Sequence, residues 1–268
     1  MATDPTVLTP PPKAAAPAPA DLGLDREFWV KLARIPFIAV LWVAGAFVAH
    51  QLWAAVVPVT DTFPTNLGSL VVICVGMVLA AVIDGYAFKV PNWCTLSLVM
   101  SGWYLGALHD AGVAIDAGQG GIGQAMLGTL IGFAALFPAL FIGGMGEGDV
   151  KMTMGFGSWM GAFFGGAFPL PDGDTVSAAG MIWWSFALGV IVGGVFGLLM
   201  MALRRQLHRN IQNFQAIALD LQTLVTLGPG KAAERANARR KDWVRLPYGV
   251  PLCVGFLGYL WWKMVVGA

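Results

Sequence analysis

Charge is what this chain has least of. Only 12% of its 268 residues are Asp, Glu, Lys or Arg, where a soluble domain averages about a quarter. An ordinary hydrated surface is therefore excluded over most of its length. The net charge of +1 offers no basic excess, and no nucleic-acid partner is expected. Cysteine is scarce too. Cys74, Cys94 and Cys253 lie in or beside apolar segments and form no CxxC pair. A disulfide framework and a zinc ribbon are both excluded by these spacings, and neither a metal nor a cofactor is expected. A signal peptide is also lacking. Residues 1–22 are rich in Pro and Ala, with no basic stretch leading into an apolar core. They read as a disordered or polyproline-like tail.

What the chain has instead is long apolar runs. Crossing a bilayer takes about 20 apolar residues in a helix. Runs of that order lie at about 35–57, 67–84, 93–108, 124–143, 152–168, 179–203 and 247–266. The expected fold is an all-α membrane protein, a polytopic helical bundle of about seven transmembrane helices. Residues 1–34 would be tail and polar approach, and 35–268 one membrane-embedded domain. Its single sizeable polar segment is 204–245. There Ile211, Phe214, Ile217, Ala218, Leu221, Leu224 and Val225 recur at spacings of three and four, which makes the first half an amphipathic helix. Gly228-Pro229-Gly230 stops it. A basic helix of this kind lies on headgroups or docks a partner.

Basic residues orient the bundle, because Lys and Arg favour the cytoplasmic side of spans. With the N-terminus inside and seven alternating spans, all of the 16 Lys and Arg residues except Lys263 fall inside. The three outer turns carry Asp and no basic residue. Asp84, at the end of the second span, then shares one cytoplasmic depth with Asp149.

Asp149 belongs to Gly143-Gly144-Met145-Gly146-Glu147-Gly148-Asp149-Val150-Lys151, a charged stretch between two apolar runs. Ionisable residues in such a place point to function. Cleaving a peptide bond needs an activated water and a proton donor for the leaving nitrogen. Two aspartates about 3 Å apart hold one proton between them and supply both. The ionised one acts as base toward the water, the protonated one polarises the carbonyl, and the roles then exchange. The pair titrates as a unit. Gly146 and Gly148 permit unusual backbone angles and close approach of a substrate strand. Asp149 also suits a helix N-terminus, so capping is the plainer alternative for it taken alone.

Gly146-Glu147-Gly148-Asp149-Val150-Lys151 resembles the GxGDxK region of prepilin peptidases. Asp84 followed by Val90-Pro91-Asn92 resembles their first catalytic segment, and Leu246-Pro247-Tyr248-Gly249-Val250-Pro251 their closing segment. The resemblance covers roughly residues 67–265, with three motifs in order. It implies a GxGD-type intramembrane aspartic protease with Asp84 and Asp149 as its catalytic pair. Gly146, Gly148, Lys151, Pro91 and Asn92 would bind substrate or support the motifs, Lys151 through an electrostatic role near the leader or the dyad. Glu147 occupies the variable position. The implied partner is a pilin-like or pseudopilin precursor peptide. Its short basic leader would be cut at the cytoplasmic face of a bacterial inner membrane, just before the precursor's hydrophobic helix. The paired CxxC motifs of the larger members are missing. The chain looks more like the short, tight-adherence (Flp) pilus branch, for which neither a zinc site nor a methyltransferase activity is expected.

Other signals rank below this one. Gly118 to Gly123 fits GxGxxG, but no strand precedes it, so it reads as a flexible loop rather than a dinucleotide site. His109, Asp110 and Asp116 read as a solvated turn rather than a metal site. Gly189, Gly193 and Gly197 read as close helix packing, within the chain or between copies in a homo-oligomer. Trp93, Trp103, Trp183, Trp184, Trp261 and Trp262 read as interface anchors. Met152, Met154 and Met160 read as packing. The rival functions are a proton- or cation-coupled transporter using Asp84 and Asp149, and a non-catalytic assembly protein of the same fold.

Overall fold

The computed structural model describes residues 26–57, 66–113, 119–141, 145–170, 174–203, 222, 226 and 247–266. The Pro/Ala tail, Gly143-Gly144, Asp116 and nearly all of the basic 204–245 segment lie outside these residues. The described chain forms seven helices: α1 (Arg26–Val56), α2 (Gly68–Ala87), α3 (Asn92–Asp110), α4 (Ile122–Phe141), α5 (Glu147–Phe164), α6 (Ala178–Leu203) and α7 (Gly249–Trp261). A π-helical turn, Trp262–Val266, follows α7. Four of the seven, α1, α2, α4 and α6, are long and apolar enough to cross a membrane by themselves. This is an all-α membrane protein in its architecture.

Helix α7 is apolar but only 13 residues long, whereas α3 and α5 are more polar and bury much of their surface against protein. In α5, 14 of the 18 residues are buried. A helix buried on every side needs no lipid-facing stripe, which explains why Gly, Ser, Thr and Asp are tolerated along it. It packs against α2, α3, α4, α6 and α7. The α4–α5 crossing is lined with glycine. A Cβ on Gly157 would strike the Gly128 carbonyl, and one on Gly132 would strike the carbonyl of Thr153. The two backbones approach as only small residues allow. Stacked rings of Phe156 and Phe256, 4.4 Å apart, join α5 to α7.

Polar side chains fasten the centre. The Trp159 indole on α5 donates to the Ser101 hydroxyl (2.9 Å) and the Leu98 carbonyl (3.1 Å) on α3. Ser158 donates to the Val99 carbonyl, and Trp42 on α1 to Ser97. Where water is scarce, each such donor needs a partner from the protein.

Some elements depart from the sequence reading. The first helix begins at Arg26 and takes in Arg26, Lys31 and Arg34, which had been expected to form a polar approach. Glu27 and Lys31 pair at 2.7 Å one turn apart, a spacing that favours helix. The fifth helix starts at Glu147 and stops at Phe164, because Gly165 at φ 60° breaks it. Beyond it Phe168–Pro169 and Thr175–Val176 pair as two short antiparallel strands, β1 and β2, a feature the apolar pattern does not announce. Trp103 is no simple anchor: its indole donates to Thr129 on α4 at 3.0 Å. Trp93, Trp183, Trp184, Trp261 and Trp262 are exposed on the bundle surface. Gly189 and Gly193 pack against Leu252 and Pro251 of α7, while Gly197 has nothing within 4 Å of its Cβ position. Met152 and Met160 are fully buried packing residues.

Candidate active site

Asp84 sits in the last turn of α2 because the helix is stopped just after it. Phe88 turns left-handed at φ 50° and returns its N–H to the Asp84 carbonyl at 2.8 Å. Val90 then plugs into the core, 3% exposed. Pro91 starts α3 in an extended conformation, its carbonyl accepting from the N–H groups of Cys94 and Thr95. Proline suits that position, having a fixed φ and no N–H to leave unpaired.

Asp149 sits in the first turn of α5, three residues after the capping Gly146. Its Oδ2 accepts the Gly146 N–H at 3.1 Å. This is the carboxylate half of a capping box, since glycine has no side chain to return the bond. The plainer reading of Asp149 as a helix cap is therefore correct as far as it goes. It does not exhaust the residue. Its Oδ1 is buried and has no hydrogen-bond partner among the described residues. Leaving a buried polar atom unmade costs about 1–3 kcal/mol, so capping alone does not account for a carboxylate so deeply placed.

The ends of α2 and the starts of α3, α5 and α7 meet at one end of the bundle. Asp84 and Asp149 are 7% and 5% exposed. They lie within electrostatic range of one another, and Tyr248 lies within range of Asp149. Gly249, the first residue of α7, donates its N–H to Asp84 Oδ2 at 2.9 Å. Each aspartate thus has one oxygen held by a backbone amide at the start of a neighbouring helix or of its own.

Other residues singled out from the sequence take up plainer positions. Gly146 has φ −82° and ψ 154°, ordinary extended backbone, and the described glycines with positive φ are Gly112 and Gly165. Unusual backbone angles are thus not the reason for glycine at 146 or 148. At Gly148 the reason is space: a Cβ there would sit 3.3 Å from Val90. Lys151 does not reach the aspartates. Its ammonium donates to Asn92 Oδ1 at 2.9 Å and pairs with Glu147 at 3.6 Å. It ties the start of α5 to the start of α3. Glu147 points outward, with 79% of its side chain exposed. Asp110 is a structural acceptor, taking the Ile122 N–H at 2.9 Å where α4 begins.

A family model, that of the type IV leader peptidase family, matches residues 71–201. That interval holds both aspartates, the Val90-Pro91-Asn92 elbow and the Gly146–Lys151 stretch. Over those residues, just under half of its length, the chain is similar to the type IV leader peptidase family. No curated protein and no solved structure matches it. The matched interval ends before α7. The bond from Gly249 to Asp84 therefore lies outside what the family match covers. Sequence reasoning noted Pro247-Tyr248-Gly249 as a motif and gave it no part in the site. A glycine next to a tyrosine carries no sign that its amide will be used.

Proposed function

We propose that the protein is a membrane-embedded aspartic endopeptidase that removes the leader of pilin-like precursors at the cytoplasmic membrane face. One observation supports this above the others. Two carboxylates from α2 and α5 are buried within electrostatic range of one another, in a chain whose residues 71–201 match a leader peptidase family model. Buried carboxylates repel when both are charged, so the pair favours sharing one proton. The ionised partner draws a proton from water as that water attacks the scissile carbonyl. The protonated partner donates to the carbonyl oxygen, and the proton next passes to the leaving nitrogen. The amides of Gly146 and Gly249 each fix one carboxylate oxygen, leaving the other for chemistry.

The site lies at helix ends, in the last turn of α2 and the first turn of α5. A precursor with its hydrophobic helix in the bilayer would present the leader junction at this depth. On this reading the chain has seven spans with its N-terminus inside and its site at the cytoplasmic face of a bacterial inner membrane, an orientation that the Lys and Arg distribution supports. Co-expression with a candidate prepilin tests this reading. Wild type should shorten the precursor, and Asp84→Asn and Asp149→Asn should leave it intact. Ion flux through wild type, lost in both variants and without any cleavage, would point to a transporter instead.

A further inference from the structure

We infer that the N-terminus of α7 is a working part of the site: the Gly249 amide is a positioning group that orients Asp84 toward Asp149. The inference rests on the proposed peptidase reading for its kinetic consequence and on geometry for its existence. Asp84 is in the last turn of α2. Asp149 is fixed from within its own helix by Gly146. Asp84 has no comparable bond from α2. Its anchor among the described residues comes from 165 residues further along the chain, at 2.9 Å, in a buried place.

Two further features mark the contact as specific. Residue 249 has no room for a side chain. A Cβ there would stand 2.9 Å from Asp84 Oδ2 and 3.0 Å from Asp84 Cβ, closer than ordinary contact. Only glycine lets the amide reach the carboxylate while α7 stays seated. The amide is also one of the unpaired N–H groups that open a helix, where partial positive charge favours an anion. The α7 helix is held in place from behind. A Cβ on Gly255 would strike the backbone of Gly189 on α6, and Phe256 stacks on Phe156 of α5. A rigidly seated helix thus presents one donor to one carboxylate oxygen.

The effect to be read is on alignment rather than binding. Gly249→Ala keeps the amide but pushes the carboxylate away. It should lower kcat for leader cleavage at least tenfold, leave KM within a factor of two, and shift the pH profile of kcat. Gly106→Ala, which presses a methyl group on the backbone of Gly121 and Ile122 at the end of α3 away from the aspartates, is the structural control. It should lower thermal stability and keep the wild-type pH profile. A folded Gly249→Ala enzyme with wild-type kcat and pH profile overturns the inference while leaving the peptidase reading intact. Failure of wild type to cleave overturns the peptidase reading alone, because a second measurement needs no activity. Tyr248-Gly249 is the single Tyr-Gly pair in the sequence. Carbonyl-13C tyrosine with 15N glycine therefore gives one amide resonance in the intact protein. That resonance should move upfield and exchange faster with solvent in Asp84→Ala. An unchanged shift and exchange rate in Asp84→Ala would overturn the bond itself, whether or not Gly249→Ala folds.

Discussion

Asp149 caps α5 and, on the proposed peptidase reading, also has a chemical role. One oxygen caps α5, and the other is buried without a protein partner among the described residues. The two roles predict different outcomes on substitution. Asn keeps an oxygen for the cap and loses the ability to share a proton. Asp149→Asn should therefore fold, with a melting temperature close to wild type, and lose leader cleavage by at least about a hundredfold, the scale of general acid–base catalysis. Glu147 supplies the contrast within the same turn. It is exposed and, among the described residues, pairs with Lys151, and exposed ion pairs contribute little. Glu147→Gln should keep cleavage within about twofold, the range of surface changes; a loss like that of Asp149→Asn would mean that the acidic roles are misassigned. The aspartates were legible in the sequence because charge is conspicuous beside long apolar runs. The amide of Gly249 was not, because every residue but proline carries one and its use depends on where a distant helix lands.

At the scale of elements, the site is an assembly of helix ends, and its fasteners are outside it. Lys151 joins α5 to Asn92 at the start of α3, so it holds the elbow after Asp84 against the helix that carries Asp149. Lys151→Met and Asn92→Ala should each cost about 1 kcal/mol, the usual net value of a hydrogen bond. The double variant should cost little more than either one, since both remove one interaction. Chemical denaturation in detergent measures this, and full additivity would show that the two side chains act independently. The α4–α5 crossing makes a stronger demand. Gly157→Ala inserts a methyl group against the Gly128 carbonyl and should destabilise by about 1–3 kcal/mol, as overpacking does. Helix boundaries were the least legible part. Charges at Arg26, Lys31 and Arg34 interrupt the hydropathy signal without interrupting α1. In α5, glycine density weakens the helical pattern while serving the close packing that holds it.

The whole molecule is a bundle around one buried, polar helix, and its functional end is set by which helix ends are gathered there. The apolar runs and the placement of Lys and Arg made that arrangement readable in outline. That residues 84 and 149 are both buried, within electrostatic range of one another, needed three dimensions. Orientation has its own test. Single cysteines placed at Lys89 or Met145, with the three native cysteines replaced, should label from the cytoplasmic side. Cysteines at Gly112 or Asp174 should label from the other side. The reverse pattern would move the site away from the face where leaders are presented. A shared proton also predicts the form of the pH dependence. Cleavage should follow a bell-shaped profile, falling at low pH when both carboxyls are protonated and at high pH when both are ionised. The central claim is that Asp84 and Asp149 together cut the leader, and purified protein in lipid vesicles with a prepilin substrate tests it most directly. The account predicts leader release by wild type and none, within detection, by Asp84→Asn or by Asp149→Asn. Leader release that survives either substitution in a folded protein would contradict it.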